Sequence, residues 1–204
     1  GKLQLAFDLA MSASSDDNSK TWRQQFLSEL VKSAVENKDA KLGLAIVSKI
    51  EMPLARAEAV QRLALLFLNL KDLWKARESL SESLKLIRAS ENTPEKAIAL
   101  LKSVRVFARV DQAMVPDVAE ESIKALNALQ FATQNEKPQP EPTRNALMAV
   151  VWNIMPSFEA LVQWNELGAL NFVGKIQRPE LRTVAGFGAA KGILTIAKAK
   201  DGTE

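Results

Sequence analysis

The sequence predicts an all-α protein, a right-handed α-solenoid of about five antiparallel helix hairpins and about ten helices. Three observations carry this. Apolar residues recur at spacings of three and four along most of the chain. Alternating strand-like runs are nearly absent, and β-branched clusters are few. Related segments recur along the sequence, which is how repeat architectures announce themselves.

The elements follow in order. A first helix is expected over 2–13. The polar run Ser14-Ser15-Asp16-Asp17-Asn18-Ser19 reads as a turn ending in a helix cap, and a second helix follows over 20–36. Helices over 39–50 and 53–69 come next, the latter opened by Pro53, whose missing N–H costs nothing in a first turn. Two more are expected over 72–89 and 94–109. The seventh, over 115–131, has Pro116 in its first turn. TQNEKPQPEPT, residues 133–143, carries three prolines at alternate positions and reads as an exposed, extended loop; its functional alternative is a docking peptide. Helices over 143–155, 157–176 and 179–199 complete the chain, the last opened by Pro179. They pair into hairpins over 2–36, 39–69, 72–109, 115–155 and 157–199, read as one domain spanning 1–204.

The repeats can be aligned residue by residue. At a fixed offset, Leu44, Val47, Lys49, Ile50, Pro53, Arg56 and Ala59 match Leu170, Val173, Lys175, Ile176, Pro179, Arg182 and Ala185. Further upstream, Arg23 falls on Arg56, Leu30 on Leu63, and Lys38-Asp39 on Lys71-Asp72. TRNALMAVVWNIM is a partial copy with Arg144 in the equivalent place. Arg23, Arg56, Arg144 and Arg182 thus recur in the first turn of a second hairpin helix. At that position an arginine reaches back to the carbonyls ending the preceding helix, or to an acid nearby. The alternative is a row of anion-binding groups.

These hairpins, with their K-I-x-x-P-x-x-R junction, resemble helical-repeat proteins of the tetratricopeptide-like and HEAT-like kind. The resemblance implies a continuous core between stacked hairpins and a groove that binds proteins or peptides. The chain opens on Gly1 directly in helical pattern, which reads as a truncated N-terminus with the array continuing beyond it.

Composition removes most chemistries. Among 204 residues there is no cysteine and no histidine, so the usual neutral-pH base and the best transition-metal ligands are missing. No cofactor and no metal site is expected, and the chain reads as a non-enzyme. The 27 basic and 24 acidic residues are mixed along the chain, without the basic stripe of a nucleic-acid binder. No unbroken apolar run reaches the roughly 18 to 20 residues of a bilayer span. The expected partner is therefore a protein or peptide. The acid pair Glu120-Glu121 does not converge on one atom, because adjacent helical residues point about 100° apart.

VAGFGAAKGIL, residues 184–194, poses the sharpest local question. Its glycines and Lys191 match neither G-x-x-x-x-G-K-[ST] nor G-x-G-x-x-G after a strand. They read as a helix surface that admits a close neighbour, with Gly186, Ala189 and Ala190 facing the core. Among the tryptophans, Trp152 in ALMAVVWNIM is expected in the core. Trp74 opens a helix like the second half of a repeat. Trp164 with Asn165, and Asn171 nearby, is the expected partner contact; the alternative is a small-ligand groove at Trp164 and Asn171.

Overall fold

The computed structural model describes residues 1–12, 17–129 and 141–201. Among them lie ten α-helices and one 3-10 turn, and no strand. The chain divides into two compact units, Gly1–Ser90 and Glu91–Glu204.

The first unit holds α1 (Lys2–Ser12), α2 (Asp17–Glu36), α3 (Ala40–Val47), α4 (Pro53–Asn69) and α5 (Leu73–Ala89). α2 packs on α1, α3 and α4, and α4 packs along α5. The offset of Lys38-Asp39 against Lys71-Asp72 is structural. Leu27, Leu30, Val31 and Ala34 of α2 are buried, as are their counterparts Val60, Leu63, Ala64 and Phe67 of α4. Both helices then end alike. Lys38 and Lys71 adopt left-handed backbone, with φ of 57° and 64°. The Asp39 N–H donates to the Ala34 carbonyl and the Asp72 N–H to that of Phe67, each at 2.9 Å. This closure satisfies carbonyls that a helix end leaves open. A non-glycine residue there costs roughly 1–2 kcal/mol, a cost offset by the capping aspartate beside it. Each aspartate at once caps the next helix, accepting from Leu42 N–H at 2.9 Å and Lys75 N–H at 3.1 Å. One residue thus ends one helix and starts another.

Asp72 also pairs with the Lys75 ammonium at 3.0 Å. The hydrogen bonds from the Lys75 side chain and backbone hold its carboxyl below the usual aspartate range. The folded chain therefore binds this proton more weakly than the unfolded chain. The stabilisation is complete above the ordinary value of about 3.9 and fades as pH falls through the lower folded value. Asp72→Ala is expected to lower the denaturation midpoint at pH 7, with the deficit shrinking below pH 4; midpoints measured across that range check it.

The second unit holds α6 (Pro94–Val110), the 3-10 turn Gln112–Met114, α7 (Val115–Ala128), α8 (Glu141–Trp164), α9 (Glu166–Gly174) and α10 (Pro179–Asp201). α6 packs on α7 and α8, α8 on α10, and α9 on both α8 and α10. Val150, Ile154, Phe158, Leu161 and Val162 of α8 are buried, together with Leu101 and Val104 of α6 and Leu181, Ala185 and Ala189 of α10.

Two boundaries differ from expectation. The break predicted at residue 156 is absent: α8 runs through Pro156 and ends at Trp164. A proline there removes a backbone donor and costs about 3 kcal/mol in an isolated helix. α8 is held on two sides by α6 and α10. The buried Ser157 hydroxyl sits 2.7 Å from the Leu101 carbonyl on α6 and 2.7 Å from that of Asn153. The real break is Asn165, whose Oδ1 accepts from Gly168 N–H at 2.9 Å and starts α9. Likewise, the loop predicted over 133–143 does not reach 143. α8 begins at Glu141, placing Pro142 in a first turn that tolerates it; residues 133–140 lie outside the described ones.

Candidate functional site

The glycines of α10 are packing surfaces. A Cβ on Gly188 would collide with the Met155 carbonyl oxygen and lie 2.9 Å from the Met155 Cα. One on Gly192 would lie 2.9 Å from the Val162 Cβ and 3.1 Å from the Glu159 carbonyl oxygen. The α10 backbone therefore lies directly on α8. The facing residues are rotated from those predicted. Gly186 has open space around it and Ala190 is exposed, whereas Leu181, Ala185, Gly188, Ala189 and Gly192 face inward. Lys191 is bound to Glu159 of α8 at 2.9 Å, so its charge tethers two helices rather than reaching a phosphate.

The recurrent arginines are anchors of differing kind. Arg182 donates from Nε to the Ile176 carbonyl at 2.8 Å and from Nη2 to that of Gln177 at 3.1 Å. Arg56, its counterpart, sends Nη2 to Glu82 on α5 at 2.8 Å, and its Nε finds no acceptor. Arg23 lies 3.9 Å from Glu51. The Arg144 side chain lies outside the described residues. Pro53 and Pro179 each open their helix.

Of the expected partner contacts, Trp164 is half-buried, and Asn165 and Asn171 are exposed. A Cβ on Gly168 would lie 3.3 Å from Trp164 Cζ3 and 3.2 Å from Asn165 Cγ, so both side chains gather on the first turn of α9. The Asn165 oxygen is committed to its capping bond.

Trp152, expected in the core, is instead 73% exposed. It stands on α8 between Met148 and Met155, also exposed, at spacings of four and three. At 100° per residue these three share one narrow arc. The buried Val150, Ile154, Phe158 and Leu161 lie on another, roughly 130° away. α8 is thus apolar beyond its core face: the outer arc is open at Met148 and Trp152, while from Met155 to Val162 the α10 backbone lies on it. Periodicity read from the sequence could not say which face holds the tryptophan. The available signal was the excess itself: a helix anchored by one face does not need so wide an apolar surface. Phe187, one residue from the Gly188–Met155 contact, is 63% exposed on α10.

The same excess gives Asn145–Trp164 the length and mean hydropathy, 1.3, of a helix able to cross a membrane, by length and composition alone. Here a third of it is buried against α6 and α10.

Elsewhere, Ser28, Ala55, Glu58, Ala59 and Arg62 line a hollow of about 120 Å³ between α2 and α4. Arg62 donates to Glu58 at 3.0 Å and to the Ser28 carbonyl at 3.3 Å, so its charge is taken up within the wall. Among the described residues no group of His, Cys, Asp or Glu is placed to hold a metal ion. Glu120 pairs with Lys124 at 3.5 Å along one helix face.

No protein-family profile, curated protein or solved structure matches the chain.

Proposed function

We propose that the chain is a non-enzymatic scaffold of helical repeats, a right-handed α-solenoid of about five hairpins, that docks a protein or peptide on the outer stripe of α8. The carrying observation is Met148–Trp152–Met155. Tryptophan is highly buried on average in folded proteins, and exposed apolar patches mark interaction sites. Tryptophan is also enriched among the residues that dominate binding energy, and methionine adapts its shape to varied partners. The occupant this surface fits is an amphipathic helix presenting its own apolar stripe, read at spacings of three and four. A membrane is the less favoured occupant, since α8 would give up its packing on α6 and α10 to cross one. The recurrent helix endings at Lys38-Asp39 and Lys71-Asp72, and the absence of histidine and cysteine, support the scaffold reading.

The test is selection of peptides from a random helical library on the immobilised protein. Winners are expected to bind with micromolar affinity and to lose at least about tenfold against Trp152→Ala, a truncation that typically costs more than 1 kcal/mol at such sites. The thermal midpoint should be unchanged. Peptides that bind both proteins equally, or an apolar surface that takes up zwitterionic vesicles and no peptide, would overturn the proposal.

A further inference from the structure

One pair of contacts recurs where the sequence alignment has no counterpart. Buried Gln24 of α2 clips the turn between α3 and α4: its Oε1 accepts from Glu51 N–H at 2.7 Å, and its Nε2 donates to the Lys49 carbonyl at 3.5 Å. Asn127 of α7 clips the turn between α9 and α10 in the same way. Its Oδ1 accepts from Gln177 N–H at 2.9 Å, and its Nδ2 donates to the Lys175 carbonyl at 3.0 Å. Lys49 and Glu51 are the aligned counterparts of Lys175 and Gln177. The backbone bonds of the two turns agree, although their arginine side chains differ. Gly43 N–H bonds to Asp39 and Ala169 N–H to Asn165; Ile50 bonds to Val47 and Ile176 to Val173; Arg56 bonds to Met52 and Arg182 to Arg178. Asp39 and Asn165 cap the short helices, and Pro53 and Pro179 open the long ones.

The chemistry explains why an amide does this. Where a short helix stops and a proline-led helix begins, one carbonyl and one N–H two residues apart have no helical partner. A carboxylate only accepts and an ammonium only donates, whereas a side-chain amide does both. The amide comes from different helices and differs by one methylene, so the turn, not the helix, selects it.

We infer that α3–α4 and α9–α10 are two copies of one junction module, and that Gln24 and Asn127 are the positioning residues that lock them. Each lock fixes the direction of a short helix carrying an outward leucine at the matching position, Leu44 or Leu170, both about half exposed. Neither lock uses a residue of the α8 stripe, and neither needs it to be a docking surface.

Amide hydrogen exchange followed by NMR tests the two locks. In the intact chain the Glu51 and Gln177 N–H groups are expected to be protected. Asn127→Leu should speed exchange at Gln177 roughly ten- to a hundredfold while leaving Glu51 unchanged, because a local opening is felt locally. Gln24→Leu should do the reverse. Asn127→Asp keeps the acceptor and loses the donor, so Gln177 should stay protected. Free exchange of either amide in the intact chain would overturn the proposal. So would an unchanged Gln177 in Asn127→Leu, or loss of its protection in Asn127→Asp.

Discussion

Gly188→Ala is expected to destabilise the second unit by about 2 kcal/mol, although alanine is the better helix former. The methyl would meet the Met155 carbonyl and Cα, which are backbone and do not swing aside as a flexible side chain does. Relief requires α10 to move off α8, loosening Leu181, Ala185 and Ala189 along the same seam. Overpacking of a filled core costs typically 1–3 kcal/mol and sometimes more. The intrinsic gain from replacing a helical glycine, about 1 kcal/mol, subtracts from a cost at the upper end of that range. Gly186→Ala is the matched control. It lies in the same helix, two residues away, with nothing within 4 Å of the new methyl. It should therefore stabilise, by about 0.5–1 kcal/mol. Urea denaturation of the two variants must give midpoint shifts of opposite sign. Equal shifts would mean that α10 does not lie on α8 through Gly188.

That pair also marks what the sequence can and cannot disclose. The presence of a close helix contact was legible, because glycines cluster in a helical pattern for few other reasons. Which glycine makes it was not, since a one- or two-residue rotation of α10 changes the inward set without changing the pattern. Features held by local chemistry read well: the proline-led starts, and Arg182, which turns back on the Ile176 and Gln177 carbonyls. Features decided by distant partners read poorly. Pro156 looks like a stop until α6 and α10 brace the helix around it. The amide clips join residues 27 and 50 apart in sequence, and no spacing rule points to them. The outer stripe of α8 is hidden differently: the run ALMAVVWNIM is apolar almost throughout, so burial of its tryptophan is the natural reading.

Phe158→Ala and Trp152→Ala, six residues apart on α8, should separate the two faces of that helix by the largest margin the chain offers. Phe158 is 1% exposed, among the largest fully buried side chains. Its truncation removes a ring from the buried face of α8 and leaves a void, at a cost of about 3–5 kcal/mol. Trp152 is the larger side chain, and a core reading would give it an equal or greater loss. Standing outward, it should cost less than about 0.5 kcal/mol, as surface substitutions do. Because Trp22 and Trp74 are also exposed, its fluorescence is isolated as the difference between the intact protein and Trp152→Ala; that difference should be quenched readily by iodide, which reaches only accessible rings. The two measurements are independent, and the docking proposal needs both. A stable Trp152→Ala variant shows that folding does not use the ring, and quenching shows that water does reach it. A ring that neither the core nor solvent screening favours where it stands is then most economically explained by a partner that covers it. If Trp152→Ala instead unfolds the second unit, the register of α8 is rotated, the apolar stripe belongs to the core, and no docking surface remains on that helix.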